Sequence, residues 1–133
     1  NRSDLVRVPV VRQSREAGTR VEYRAPDPAC NPYLAFACML RAGLAGIRGK
    51  YELPQPVERN VYAMSAEERR SLGVAELPED LYEAIKVAEG SAFLRETLGA
   101  HVFEKLLENK RLEWDEYRTR VTRWELDQYL GRL

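Results

Sequence analysis

A single histidine, His101, and two cysteines, Cys30 and Cys38, are all the imidazole and thiol groups that 133 residues offer to a metal. Zinc sites need several thiolates or imidazoles at short spacings, and neither cysteine has such neighbours, so both read as reduced, buried packing residues. Charge of one sign is also lacking, since 21 basic side chains face 21 acidic ones. Global charge therefore gives no argument for nucleic acid or an anionic membrane, and any electrostatic function has to be local. No apolar stretch reaches the roughly 20 residues of a membrane-spanning helix, and the start shows neither a charged segment before an apolar run nor a cleavage site. There is no repeat and no low-complexity tract. A cytoplasmic protein that engages neither nucleic acid nor membrane is expected. The first residue is Asn1, only a few positions before a strand and with no preceding cap or turn, as expected for a piece of a longer protein.

Hydrophobic residues make up 44% of the chain, enough for one domain or part of one with a core. Two stretches alternate with period two, the mark of strands. In Leu5 to Val11, Val6, Val8 and Val10 share one face and Leu5, Arg7 and Pro9 the other. In Thr19 to Ala25, Arg20, Glu22 and Arg24 leave one face while Val21 and Tyr23 leave the other. The intervening Arg12 to Gly18 is polar, as a hairpin loop should be, so antiparallel pairing is expected. Opposed residues point to the same side of a sheet, so only pairings whose residue numbers sum to an odd value put the apolar sets together. A sum of 29 sets Arg7 opposite Glu22, and a sum of 31 sets it opposite Arg24. In both registers Arg7, Arg20, Glu22 and Arg24 form one polar patch.

Asn31-Pro32 reads as an N-cap with proline at the first helical position. The helix Tyr33 to Ile47 is apolar almost all round until Gly49, as for a helix buried on most sides. Gly43 and Gly46 inside it point to close approach of another element. Tyr51 to Asn60, with Pro54 and Pro56, reads as a loop. Ser65 to Glu68 resembles a capping box before a short helix ended by Gly73. Pro78 to Glu89 is an amphipathic helix with Leu81, Ile85 and Ala88 on one side. Gly90 and Gly99 punctuate the following turns. From Ala100, Phe103, Leu106, Trp114, Tyr117, Val121 and Trp124 recur near helical spacing, giving one or two amphipathic helices. The fold class is α+β, an antiparallel hairpin followed by helices.

The charged strand face admits two readings. Glu22 would supply oxygen to a hard divalent cation while the arginines hold carboxylate or phosphate oxygens, or the strands are simply laced by cross-strand ion pairs. Asn1-Arg2-Ser3 could bind an anion or merely lead into a strand. His101, on the flank of an amphipathic helix, reads as a surface or packing residue rather than a base. Tyr62 reads as a modified or interface tyrosine, or as a half-buried anchor, the commoner case.

Taken in order, Asn1-Arg2-Ser3, Val6-Arg7-Val8-Pro9, Arg20-Val21-Glu22-Tyr23-Arg24, Pro26-Asp27-Pro28, Asn31-Pro32-Tyr33-Leu34-Ala35, Ala42-Gly43-Leu44 with Gly46-Ile47, and Asn60-Val61-Tyr62 resemble the last third of class I glutamine synthetases. The resemblance covers essentially all of residues 1–133, and the end, Trp114 to Arg118 with Val121 to Glu125 and Gln128-Tyr129, is similar to the alpha-type branch. It implies the C-terminal portion of a catalytic domain, without the N-terminal domain and the first part of the catalytic domain. The parent activity it implies is ATP-dependent joining of glutamate and ammonia, with Mg2+ or Mn2+, in a cytoplasmic homo-dodecamer.

By position, the resemblance makes Glu22 a ligand of the metal that bridges the nucleotide phosphates. It makes Arg24 a glutamate-binding residue and Arg7 an ATP-phosphate contact with a catalytic role. Arg2 lies where substrate and phosphate meet, as a catalytic and glutamate-binding residue. Arg15 is a candidate ATP contact, in a loop longer than expected for the alpha branch, and Arg20 has no assigned role. Tyr62 aligns with the tyrosine adenylylated in the beta branch. It is followed by Ala63 to Glu68 rather than the acidic, proline-containing sequence associated with that regulation, so it is expected to be unmodified. The isolated chain is expected to be inactive. A ligase for a larger amine and a noncatalytic relative are the alternatives.

Overall fold

The computed structural model describes residues 5–9 and 20–132. Arg2 and Arg15, with Val10, Val11 and Thr19 of the expected strands, lie outside the described residues. The chain forms two compact units, one up to Glu76 and one from Leu77.

In the first unit, strand β1 (Val6–Arg7) pairs antiparallel with β2 (Glu22–Tyr23). The register places Val6 opposite Tyr23 and Arg7 opposite Glu22, the pairing whose numbers sum to 29. The strands are shorter than expected. Pro9 carries no N–H and cannot extend the ladder, whereas Arg24 N–H still reaches Leu5 C=O at 2.8 Å. The apolar side of the hairpin exists as expected but stays open, with Val6, Val8, Val21 and Tyr23 all exposed. Arg7 and Glu22 are half-buried, so the charged pair is better covered than its apolar neighbours.

Helix α1 spans Pro32–Gly49. The Asn31 side chain accepts from the Tyr33 and Leu34 amides at its start, and Pro32 needs no donor there. At the other end Lys50 adopts a left-handed conformation (φ 49) that returns its amide to Gly46 and Ile47. The expectation of burial on most sides fails. No α1 residue is buried, and Tyr33, Phe36, Leu40, Leu44 and Ile47 are all exposed, because no other described element lays a matching apolar face on the helix. The expectation for its glycines fails too. A Cβ on Gly43 would meet nothing within 4 Å and one on Gly46 only the Tyr51 ring at 3.9 Å. The crowded glycine is Gly49, where an added Cβ would run into the Tyr51 ring, 2.9 Å from Cδ1. Cys30 and Cys38 are both free, but Cys30 is exposed and Cys38 half-buried, not core residues: Cys30 sits in the turn before α1, and Cys38 on a helix with no buried residue of its own. Partial burial raises the Cys38 thiol pKa above its ordinary value.

Beyond the irregular 51–60 segment, a 3-10 turn (Val61–Ala63) starts at Asn60, and α2 (Ala66–Ser71) starts with the expected capping box. Ser65 Oγ accepts from Glu68 N–H at 3.1 Å, and Glu68 accepts from Ser65 N–H at 2.8 Å.

The second unit is helical. Helix α3 spans Leu81–Glu89, later than the expected start at Pro78 because Asp80 is the residue that caps it, accepting from Glu83 N–H. A short α4 (Ala92–Leu98) occupies what read as turns between Gly90 and Gly99. The remaining chain folds as two helices, α5 (Ala100–Arg118) and α6 (Arg123–Tyr129). Ile85, Phe103 and Leu107 form the core, with Leu81, Ala88, Leu94, Leu98 and Trp114 around them, so α5 packs on both α3 and α4. The ion pairs Arg111–Glu89 and Arg95–Glu104 bridge the same two interfaces at the surface. His101 is exposed, on the side of α5 away from that core.

Candidate active site

Three guanidinium groups converge on one carboxylate. Arg7 Nη1 donates to Glu22 Oε2 at 2.8 Å across the strand pair, and Arg24 Nη2 donates to the same oxygen at 3.2 Å. Arg20 Nη2 donates to Oε1 at 3.0 Å. The local sequence dictates this arrangement. Arg20, Glu22 and Arg24 stand two residues apart on one chain, hence on one side of it, and the register sets Arg7 opposite Glu22. The described members of the expected site, Arg7, Glu22 and Arg24, are thus brought together, and Arg20, which had no assigned role, joins them. Its period-two spacing from Glu22 was the signal.

The electrostatic consequence is a carboxylate held ionised. The hydrogen bond from Arg7 is the largest influence on Glu22, opposed by desolvation and reinforced by Arg20 and Arg24, and its pKa falls to about 2. Three positive groups and one negative leave a local excess of two positive charges, a setting for anions. Each guanidinium carries five N–H donors, more than one carboxylate oxygen can use, so the cluster has capacity for phosphate or carboxylate oxygens. Glu22 is also the kind of hard, charged oxygen donor a divalent cation takes. Among the described residues no group of three or more His, Cys, Asp or Glu could hold a metal ion. Glu22 therefore fits such an ion as one ligand, not as a whole site.

A groove of about 630 Å³ runs beside the cluster, lined by Arg7 and Val8 of the hairpin segment, by Pro54 to Glu58, and by Leu72 to Ala75 after α2. Arg69, in α2, donates to Met64 C=O at 2.8 Å and pairs with Glu76. Tyr62 stands 81% exposed on its 3-10 turn, not half-buried.

The glutamine synthetase catalytic-domain family profile matches residues 1–129. The chain belongs to that family. It is 52% identical over 130 residues to a glutamine synthetase of Methanocaldococcus jannaschii, covering 98% of this chain and 28% of that protein. The glutamine synthetase of Methanosarcina mazei is 52% identical over all of this chain and 29% of its own length, and that of Staphylococcus aureus is 46% identical over 130 residues. The chain thus spans less than a third of the length of these curated relatives. The α+β architecture of hairpin and helices is the one expected from the sequence. No described helix is long and apolar enough to cross a membrane.

Proposed function

We propose that this chain is the C-terminal part of the catalytic domain of a glutamate–ammonia ligase, contributing arginines and one metal ligand to the active site of a cytoplasmic homo-dodecamer. The observation that carries the reading is the triple grip of Arg7, Arg20 and Arg24 on Glu22, in a member of this family. One cross-strand pair is enough to fasten a hairpin, whereas the surplus cations Arg20 and Arg24 on the same carboxylate suit a phosphoryl-transfer site.

In the parent reaction the side-chain carboxylate of glutamate attacks the γ-phosphorus of ATP and ADP leaves, giving γ-glutamyl phosphate. Ammonia then attacks the acyl carbon, loses a proton and expels inorganic phosphate, leaving glutamine. Arg24 orients the glutamate carboxylate. Arg7 donates hydrogen bonds to phosphate oxygens, Arg2 is the contact assigned to the meeting of substrate and phosphate, and Arg15 is the candidate nucleotide contact. Glu22 would supply one charged oxygen to Mg2+ or Mn2+, and the ion would add charge neutralisation for the phosphates. Tyr62 carries no AMP, and a mass increase of one adenylyl group in purified native enzyme overturns that statement.

The test is γ-glutamyl hydroxamate formation by the full-length parent with ATP, glutamate, hydroxylamine and Mg2+ or Mn2+. Activity that disappears in Glu22→Gln, with assembly intact, supports the ligase, and an inactive, correctly assembled parent overturns it. Turnover with a larger amine but not with ammonia moves the assignment to an amine-specific relative. The chain alone is expected to be inactive.

A further inference from the structure

The two oxygens of Glu22 are not held alike. Oε2 accepts from Arg7, which reaches across from β1, and from Arg24, whereas among the described residues Oε1 accepts from Arg20 alone. Arg20 is also the most exposed of the three, with 61% of its side chain accessible against 38% for Arg7 and 36% for Arg24. It sits two residues from Glu22 on the same chain, so leaving Oε1 requires a side-chain rotation into solvent and no change in strand pairing.

From this asymmetry we infer that Arg20 is a displaceable positioning residue: its guanidinium caps Glu22 Oε1 when no metal is bound and must swing off that oxygen for a divalent cation to take it. The Arg20 guanidinium, 3.0 Å from Oε1, takes one of that oxygen's two lone pairs and sets a positive charge beside any cation on the other, so the two repel and compete for the oxygen. Arg7 and Arg24 can remain on Oε2 and keep the carboxylate aimed. Arg20 therefore competes with the metal, and its release makes occupation of the site a conformational event as well as a binding event. The inference rests on the reading of Glu22 as a metal ligand.

The test uses Mn2+ alone as probe, with the nucleotide-free full-length parent, and reads the dissociation constant and stoichiometry by titration calorimetry and by the electron paramagnetic resonance signal of free Mn2+. Removing the competitor in Arg20→Gln is expected to tighten one class of Mn2+ site roughly two- to fivefold, the size of an exposed ion pair, with Arg20→Lys in between. Unchanged or weaker Mn2+ binding in Arg20→Gln overturns the inference. Glu22→Gln separates the two levels. If it removes one Mn2+ per subunit while Arg20→Gln changes nothing, the ligand reading stands and the competition is wrong. If Glu22→Gln leaves the stoichiometry intact, the ligand reading fails and the inference falls with it.

Discussion

Arg7 and Glu22 face each other directly across the two-strand ladder, and their side chains close a 2.8 Å ion pair. Backbone register and side-chain chemistry thus coincide at one pair of residues. Because Arg7 has the largest influence on Glu22, Arg7→Gln should raise the Glu22 pKa from about 2 further than Arg20→Gln or Arg24→Gln does. Carboxyl carbon chemical shifts followed through an acid titration read this, and an equal rise in all three variants would contradict it. The sign for stability follows from the depressed value. The ionised Glu22 favours the folded hairpin above the ordinary carboxylate range, and the contribution fades as pH falls toward about 2.

Two glycines should respond to alanine in opposite directions. Gly99, between α4 and α5, holds φ 75 and ψ 156, a region essentially restricted to glycine, so Gly99→Ala should destabilise by about 1–3 kcal/mol although nothing lies within 4 Å of the new Cβ. Gly43 lies inside α1 with open space around it, and Gly43→Ala should stabilise this chain by about 1 kcal/mol. Urea unfolding midpoints decide both.

The helical unit depends on few buried side chains. Phe103 is 3% exposed between Ile85 and Leu107, and Phe103→Ala should cost about 3–5 kcal/mol. The expected signature is loss of the near-ultraviolet circular dichroism of Trp114, which stacks on Tyr82 with centroids 5.9 Å apart. Retention of that signal would show that the core does not rest on Phe103.

Acid should loosen two helix starts together. Glu68 and Glu125 each accept their N-cap residue's amide, from Ser65 at 2.8 Å and Thr122 at 2.7 Å, and these bonds hold both carboxyl groups below the ordinary value of 4.5. Their contribution is present above that value and lost as pH falls below it. Helical circular dichroism should therefore decline less between pH 6 and pH 3, taken as roughly spanning the carboxylate range, in a Glu68→Gln, Glu125→Gln double variant than in the parent sequence.

Much of this was legible in the sequence because local chemistry decided it. Alternation of Val and Arg residues restricted the hairpin to odd registers, Asn31-Pro32 marked the start of α1, and Ser65 with Glu68 marked α2. The cluster around Glu22 was legible for the same reason, since period-two spacing and a hairpin suffice to assemble it. What escaped depended on partners. Apolar composition shows that α1 seeks cover but not what supplies it, so its burial and that of Cys38 were misjudged. Helix α4, seven residues between two glycines, is too short to display a period. Along α5 the core position is Leu107, one turn after Phe103, whereas its neighbour Leu106 was the one picked out. Adjacent leucines leave the phase of a helical stripe open until a neighbouring helix is in place.

With two ladder residues on each strand, the hairpin is fastened by the Arg7–Glu22 pair as well as by its backbone. The atoms that would do the chemistry are therefore also the rivets of the scaffold. A truncating substitution at Glu22 removes a fastener along with a reactive group, so lost turnover and lost shape arrive together. An isosteric change such as Glu22→Gln, which keeps an oxygen facing Arg7, is the one that can tell them apart.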